Sequence, residues 1–277
     1  GIQRPHKELR DGDKKWGVEP VASDTLSNNS NGIAVFSSRG PTRDGRLKPE
    51  IVAPGTNIVS TRSRHPEASA LWGAYNQHYA YAGGTSMATP LTAGAAAVAR
   101  EYLVKAKNVD APSGALVKTA LMHTAFDLYP GQYGQGPKQE LAQRRPNVHE
   151  GYGRVDMDFA TQLPEATVIV DQKQGVGLNE EKTYQIQAEA GQKLIVTMSY
   201  TDAPASPGAS RALVNDLDLV VISPDGQMIQ KQDRINNTEM VEIPTTQAGQ
   251  YRIIVKGINV PQGKQGKQPY ALMATAL

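Results

Sequence analysis

The sequence predicts an α/β fold in its first part and an all-β domain in its last part. Two observations carry this prediction. An Ala-rich helical stretch follows several short apolar runs in the first part, and the pattern changes near residue 164 to short β-rich runs separated by turns. We place the boundary between Leu163 and Pro164, which divides the chain into residues 1–163 and 164–277.

The first part contains short predicted strands and two predicted helices. The helix over Ser86–Val104 is apolar through Ala99, which favours burial on all sides. A second helix is predicted over Ser113–Ala125, because Pro112 and Ser113 form a start signal. The apolar runs before them are predicted as strands at Ile33–Phe36, Glu50–Val52 and Asn57–Thr61.

The last part has the pattern of a β-sandwich or jelly roll. Turns such as Pro224-Asp225-Gly226 separate its β-rich runs, and no helical period is evident. The predicted strands cover Thr167–Val170, Lys182–Ala188, Lys193–Tyr200, Leu217–Ile222 and Tyr251–Val255.

Composition excludes several classes of protein. The net charge of +2 is too small for an electrostatic nucleic-acid surface, and no apolar run reaches the length of a membrane span. We therefore expect neither nucleic acid nor membrane as a partner. The absence of cysteine excludes disulfides and a cysteine nucleophile. The polar first ten residues do not have the pattern of a signal peptide.

The segment Gly83-Gly84-Thr85-Ser86-Met87-Ala88-Thr89-Pro90 is the chemical motif of the chain. Small glycines allow a substrate backbone to approach closely. A serine at the start of a helix places its N–H and the positive helix end at one point, which suits a developing oxyanion. Gly-Thr-Ser alone would be an ordinary helix cap, but eight residues followed by Gly94-Ala95-Ala96-Ala97 favour a nucleophile at Ser86.

These eight residues resemble the nucleophile segment of the subtilisin-like serine peptidases. The resemblance extends in order through Phe36–Pro41, Lys48–Gly55 and Gly151–Asp156. Tyr200–Pro204 and Leu213–Leu219 are similar to the C-terminal β-domain of certain bacterial alkaline members.

The resemblance implies the C-terminal part of a doubly wound α/β catalytic domain followed by a β-domain. It also implies a secreted serine endopeptidase, which hydrolyses peptide bonds of proteins or peptides through an acyl-enzyme on Ser86. Gly84 and Thr85 would then shape the adjacent substrate cleft.

The same resemblance places the catalytic Asp, the catalytic His and the oxyanion Asn well upstream of the nucleophile. The 85 residues before Ser86 match only the segments next to it. None of the five histidines (His6, His65, His78, His123 and His149) lies in a His-Gly-Thr sequence, so we expect them to be structural.

A serine without a base is a poor nucleophile, so we expect the chain alone to be inactive. Half of an α/β domain also exposes apolar surface. We expect the N-terminal part of the peptidase, or a self-associated copy, as partner. The alternative is an inactive fragment that acts as a binding or stabilising β-domain module, whose activity Ser86→Ala would leave unchanged.

An acidic pattern in the last part predicts a calcium site. Asp216 and Asp218 are one strand period apart, so their carboxylates share a face while Leu217 and Leu219 point to the core. Oxygen ligands suit calcium, although acids at this spacing are more often the solvent face of a strand. The predicted ligands are Asp216, Asp218, Asp233 and Asn236, with Asn237 and Glu239 in the same loop. Asp202 is expected to hold the loop at Ala203-Pro204 instead.

Overall fold

A computed structural model describes residues 4–5 and 19–277 of the chain. The prediction made for His6 therefore lies outside the described residues. Helices are few within this part: α1 covers Thr85–Lys105, α2 covers Gly114–His123 and α3 covers Met157–Ala160. None of these helices is long and apolar enough to cross a membrane.

Most of the regular structure is β-sheet. The strands are β1 Arg4–Pro5, β2 Thr25–Leu26, β3 Ile58–Thr61, β4 Tyr79–Ala82, β5 Val168–Gly177, β6 Glu181–Ala188, β7 Lys193–Ser199, β8 Asp216–Ile222, β9 Met228–Lys231, β10 Thr238–Pro244, β11 Gly249–Asn259 and β12 Lys267–Ala276. All five strands predicted after residue 164 are confirmed, and β9, β10 and β12 were not predicted.

The chain divides into two compact units by its internal contacts. The first unit comprises Gly1–Arg39, Lys48–Gly94 and Phe126–Arg154. The second comprises Gly40–Leu47, Ala95–Ala125 and Val155–Leu277. Helix α2 and the end of α1 thus belong to the same unit as the last eight strands, whereas the boundary after Leu163 remains a sequence-based prediction.

The first unit is organised around short pairings. Strands β3 and β4 form an antiparallel pair. The backbone of Arg154 forms isolated β-bridges with Val52 and with Phe126. The prediction of a strand at 33–36 is wrong, because Val35 and Phe36 form a turn and Ile33 and Ala34 belong to no strand. Ile33 packs instead with Leu128 and Leu141 in a small core, so its apolar character reflects packing of a loop.

The second unit contains two four-stranded antiparallel sheets. Their strand orders are β10-β7-β12-β5 and β6-β11-β8-β9. One core joins them, to which the first sheet contributes residues such as Leu194 and Leu272 and the second sheet residues such as Leu219 and Ile253. The predicted direction of Leu217 and Leu219 is confirmed, since both lie in this core.

Helix α2 covers the other face of the first sheet. Leu116 and Ala120 pack with Ala271 and Met273 of β12. Ser113 caps the helix by accepting a hydrogen bond from the N–H of Leu116 at 3.1 Å, as its sequence signal predicts. Both faces of β7 and β12 are therefore buried, which explains their nearly continuous apolar sequences.

Helix α1 is more exposed than its sequence predicts. Only Ala95, Ala99 and Leu103 are buried, all in its second half. Leu91 and Val98 remain 42% and 49% exposed. The prediction of a helix buried on all sides is thus wrong for this structure, because no described segment covers the face that carries these two side chains.

Candidate active site

Ser86 lies in the first turn of helix α1, directly after a tight glycine turn. Gly84 has φ of +138°, a conformation that favours glycine. Its N–H donates to the carbonyl of Gly55 at 2.7 Å, and its own carbonyl accepts from the N–H of Met87 at 3.0 Å. The turn is therefore held from both sides, and this fixes the position at which the helix presents Ser86.

The two other glycines at this turn are required by close packing within the chain. A Cβ on Gly55 would lie 3.0 Å from the carbonyl oxygen of Gly84. A Cβ on Gly83 would lie 1.8 Å from the ring of Trp72. Gly83 was predicted to allow substrate approach, and its contact with Trp72 was not predicted, because no sequence pattern links these two positions.

Ser86 has the accessibility that a nucleophile needs. Its side chain is exposed, and its N–H belongs to the first turn, whose N–H groups have no acceptor within the helix. The positive end of the helix dipole lies at the same place and also favours a negative charge there. The N–H of Ser86 can therefore donate to an oxyanion at this point, and Gly84 and Thr85 directly precede it in the chain.

No described histidine is hydrogen-bonded to Ser86. His78 contacts Arg64 through Nδ1 at 2.8 Å and Gln77 through Nε2 at 2.7 Å. His123 is fully buried between two threonines of the second unit. The Nδ1 of His65 accepts from a backbone N–H, and burial lowers the pKa of His149. The contacts of His65, His78 and His123 fit structural roles.

A cavity of about 800 Å³ lies within the first unit, beside the start of α1. One wall is the helix face that carries Thr85, Ala88, Thr89 and Thr92. The other walls come largely from loop segments and combine polar residues such as Asn28, Ser37 and Gln132 with apolar ones, which include Ile33, Ala34, Phe36, Ile51, Val52, Ala53, Pro54 and Leu128.

The acidic pair of the last part is buried and bound to an arginine. Asp218 is 0% exposed and Asp216 is 7% exposed. The guanidinium of Arg234 donates to Asp216 at 3.1 Å and to both carboxylate oxygens of Asp218, one of them at 3.2 Å. The alternative interpretation, in which the pair lies on the solvent face of the strand, is therefore wrong. Burial raises the pKa of Asp216, and the charge of Arg234 opposes this.

The other two predicted calcium ligands are occupied by hydrogen bonds within the protein. Asp233 accepts from the backbone N–H groups of Ile235 and Asn236 and from the amide of Asn236, each at 2.8 Å. The side-chain oxygen of Asn236 accepts from the N–H of Leu47 at 2.7 Å. Within the described residues no group of three acidic or histidine side chains is arranged to hold a metal. The four residues therefore do not fit calcium as they are placed.

Asp202 holds its loop as the sequence predicts. Its carboxylate accepts from the backbone N–H groups of Ala203, Val214 and Asn215 at 2.7–2.9 Å. These bonds join the segments Tyr200–Pro204 and Leu213–Leu219.

A serine presented by a glycine turn at the start of a helix is the arrangement that the sequence led us to expect for a serine nucleophile. A family model described as "Subtilase family" matches residues 21–177, which is more than half of the chain. The chain belongs to the subtilase family.

Three relatives illustrate the similarity. The chain is 28% identical over 319 residues to serine protease/ABC transporter B family protein tagB of Dictyostelium discoideum, over 90% of this chain and 17% of the relative. It is 45% identical over 78 residues to serine protease AprX of Bacillus subtilis (strain 168), over 27% of this chain and 18% of the relative. It is 37% identical over 123 residues to minor extracellular protease Vpr of the same organism, over 43% of this chain and 13% of the relative. The chain thus spans less than a fifth of the length of each of these relatives.

Proposed function

We propose that this chain carries the nucleophile of a serine endopeptidase, which hydrolyses peptide bonds of proteins or peptides through an acyl-enzyme on Ser86. The observation that carries the proposal is the position of Ser86, exposed in the first turn of α1 after a fixed glycine turn. The Oγ attacks the carbonyl carbon while its proton passes to a base, and the base gives this proton to the leaving amine as the C–N bond breaks. A water molecule then hydrolyses the acyl-enzyme and restores the serine hydroxyl. The N–H of Ser86 donates to the oxyanion, while Gly84 and Thr85 border the substrate.

The base, its orienting carboxylate and the oxyanion Asn are supplied by the N-terminal part of the peptidase. This is supported by the hydrogen bonds of His65, His78 and His123, which engage these side chains away from Ser86. Removal of the base costs about 10⁶-fold in kcat, the value measured for subtilisin. The chain by itself is therefore inactive.

The N-terminal part also covers the open surface of the first unit. The apolar residues in the walls of the cavity beside α1 and the exposed Leu91 support this assignment. An extended segment that enters the cavity would contact Ala88 and Thr92 on the helix and Val52 opposite. A second copy of this chain is the alternative partner that would cover this surface. The mass of the complex under native conditions distinguishes it from the N-terminal part.

The last part is a jelly-roll domain appended to the catalytic part, and the whole protein is secreted. The strand orders β5-β12-β7-β10 and β6-β11-β8-β9 support the jelly roll, because they alternate between the two sheets as two Greek keys do. The similarity to an extracellular protease of Bacillus subtilis supports secretion.

Labelling with a fluorophosphonate probe tests the proposed nucleophile. Such a probe reacts with a serine only when a base activates it. We expect no label on the chain alone and stoichiometric label on Ser86 after the N-terminal part is added. Intact mass spectrometry under native conditions would identify both the labelled chain and its partner.

Two variants make this measurement specific. Ser86→Ala should abolish labelling, whereas Ser60→Ala, at an exposed serine of β3, should leave it unchanged. Absence of label in a complex with the N-terminal part would contradict the peptidase proposal. It would favour a fragment that acts through its β-domain, for which the shared core of the two sheets is the supporting observation.

A further inference from the structure

The acidic pair of β8 lies where the sequence predicts a metal, yet it is neutralised by a side chain of the same unit. Arg234 follows β9 and reaches both carboxylates with one guanidinium. Its N–H groups form two bonds to Asp218, the planar arrangement in which arginine binds a carboxylate most strongly.

We propose that Arg234 is the permanent cation of this cluster, so that the β-domain is stable without calcium or another divalent ion. Two buried carboxylates this close require a positive charge, because the interior does not solvate them. The guanidinium supplies one charge and several directed hydrogen bonds at the point where a bound ion would have to lie.

The surroundings of the pair leave few oxygens for an ion. The amide of Gln230 donates to Asp218 at 3.1 Å. The carboxylate of Glu239 accepts from the N–H groups of Leu219 at 2.6 Å and Asp233 at 2.8 Å. A calcium ion requires six to eight oxygen ligands. Binding would therefore require these hydrogen bonds to break and Arg234 to leave.

A neighbouring arginine provides a matched control for replacement of Arg234 by methionine. Arg211 lines the same shallow depression, together with Lys231 and Arg234, and its side chain is exposed. Arg211→Met makes the same chemical change without leaving a buried carboxylate unpaired. The pair of variants therefore separates loss of the cation that pairs with the buried carboxylates from loss of another surface charge.

Thermal unfolding of the full chain tests the proposal, with backbone hydrogen exchange of β8 as a local measure. We expect the wild-type Tm to be the same in excess EDTA and in millimolar calcium. Arg234→Met should lower the Tm of the β-domain by about 8 °C and speed exchange in β8, because two buried carboxylates lose their partner. Arg211→Met should lower the Tm by about 1 °C or less.

A third variant shows whether charge is the cause. Arg234→Met combined with Asp216→Asn and Asp218→Asn should be more stable than Arg234→Met alone, since no buried charge then lacks a partner. A wild-type Tm that rises with calcium would overturn the proposal. So would an effect of Arg234→Met no larger than that of Arg211→Met.

Discussion

Replacement of Gly151 by alanine is expected to destabilise the first unit by about 4 kcal/mol. Gly151 has φ of +64°, and a Cβ there would lie 2.3 Å from the carbonyl oxygen of Pro49 and 2.4 Å from the carbonyl group of Glu50. These are backbone atoms, which cannot rotate away as a side chain could. The clash therefore forces the two segments apart.

The same displacement should reach the nucleophile turn. The segment after Glu50 is fixed by hydrogen bonds from Tyr152 to Glu50 at 2.9 Å and from Val52 to Gly153 at 3.0 Å. A few residues later, Gly55 accepts the hydrogen bond that holds Gly84. Since Trp72 packs on Gly83, its fluorescence during urea unfolding would report the loss of stability in this unit.

A second glycine provides the control for this experiment. Gly134 has φ of +69°, almost the same conformation, but nothing lies within 4 Å of a Cβ placed there. Gly134→Ala should cost only the conformational penalty of about 1 kcal/mol. Equal effects of the two variants would contradict the steric explanation and leave backbone conformation as the only cause.

The elements that sequence predicts well are those with a local physical cause. Helix α2 begins where Ser113 caps it, and the cap needs only residues of its own first turn. The β-rich runs after residue 164 are confirmed because turns punctuate them and one side of each faces a common core. Because these interactions involve residues close together in the chain, they can be recognised from the sequence alone.

Strand β12 was missed because its environment removes the usual pattern. Leu272 and Ala274 face the core between the sheets, while Ala271 and Met273 face helix α2. With both faces buried there is no alternation of polar and apolar residues. Pro269 also argues against a strand, and it lies at the irregularity between Gln268 and Tyr270.

The candidate sites show the same division between local and distant causes. Ser86 is identified by contiguous residues, and the structure places it in the first turn of α1. The partner of Asp216 and Asp218 is Arg234, which lies sixteen or more residues later. The acidic pattern alone does not distinguish an ion from a guanidinium, because both satisfy the same carboxylates.

The stability of the β-domain is expected to fall as the pH rises from about 5 to 9, owing to Glu239. This carboxyl on β10 is 3% exposed, and burial raises its pKa from the ordinary 4.5 to about 8. Two backbone N–H groups oppose the shift, whereas the charges of Asp218 and Asp233 add to it. Below pH 4.5 the group is protonated in both the folded and the unfolded state, and stability does not depend on it.

Between these two pKa values the unfolded chain releases a proton that the folded chain retains. The unfolded state then binds fewer protons, so the free energy of unfolding falls with rising pH until Glu239 ionises in the folded state. The full penalty, reached above pH 8, corresponds to about 5 kcal/mol. Urea unfolding of the β-domain at a series of pH values, with hydrogen exchange of β7 and β10 as the probe, would measure this loss of stability.

Glu239→Gln separates this titration from the other groups of the domain. Glutamine cannot ionise, so the variant should lack the decline between pH 5 and 9. It should also carry a constant loss of about 1–2 kcal/mol, because its amide nitrogen faces a backbone N–H where the carboxylate oxygen accepted one. The difference in slope is therefore the diagnostic quantity. Parallel pH profiles of wild type and variant would show that Glu239 is ionised in the folded protein throughout this range, with its two backbone N–H donors outweighing its burial.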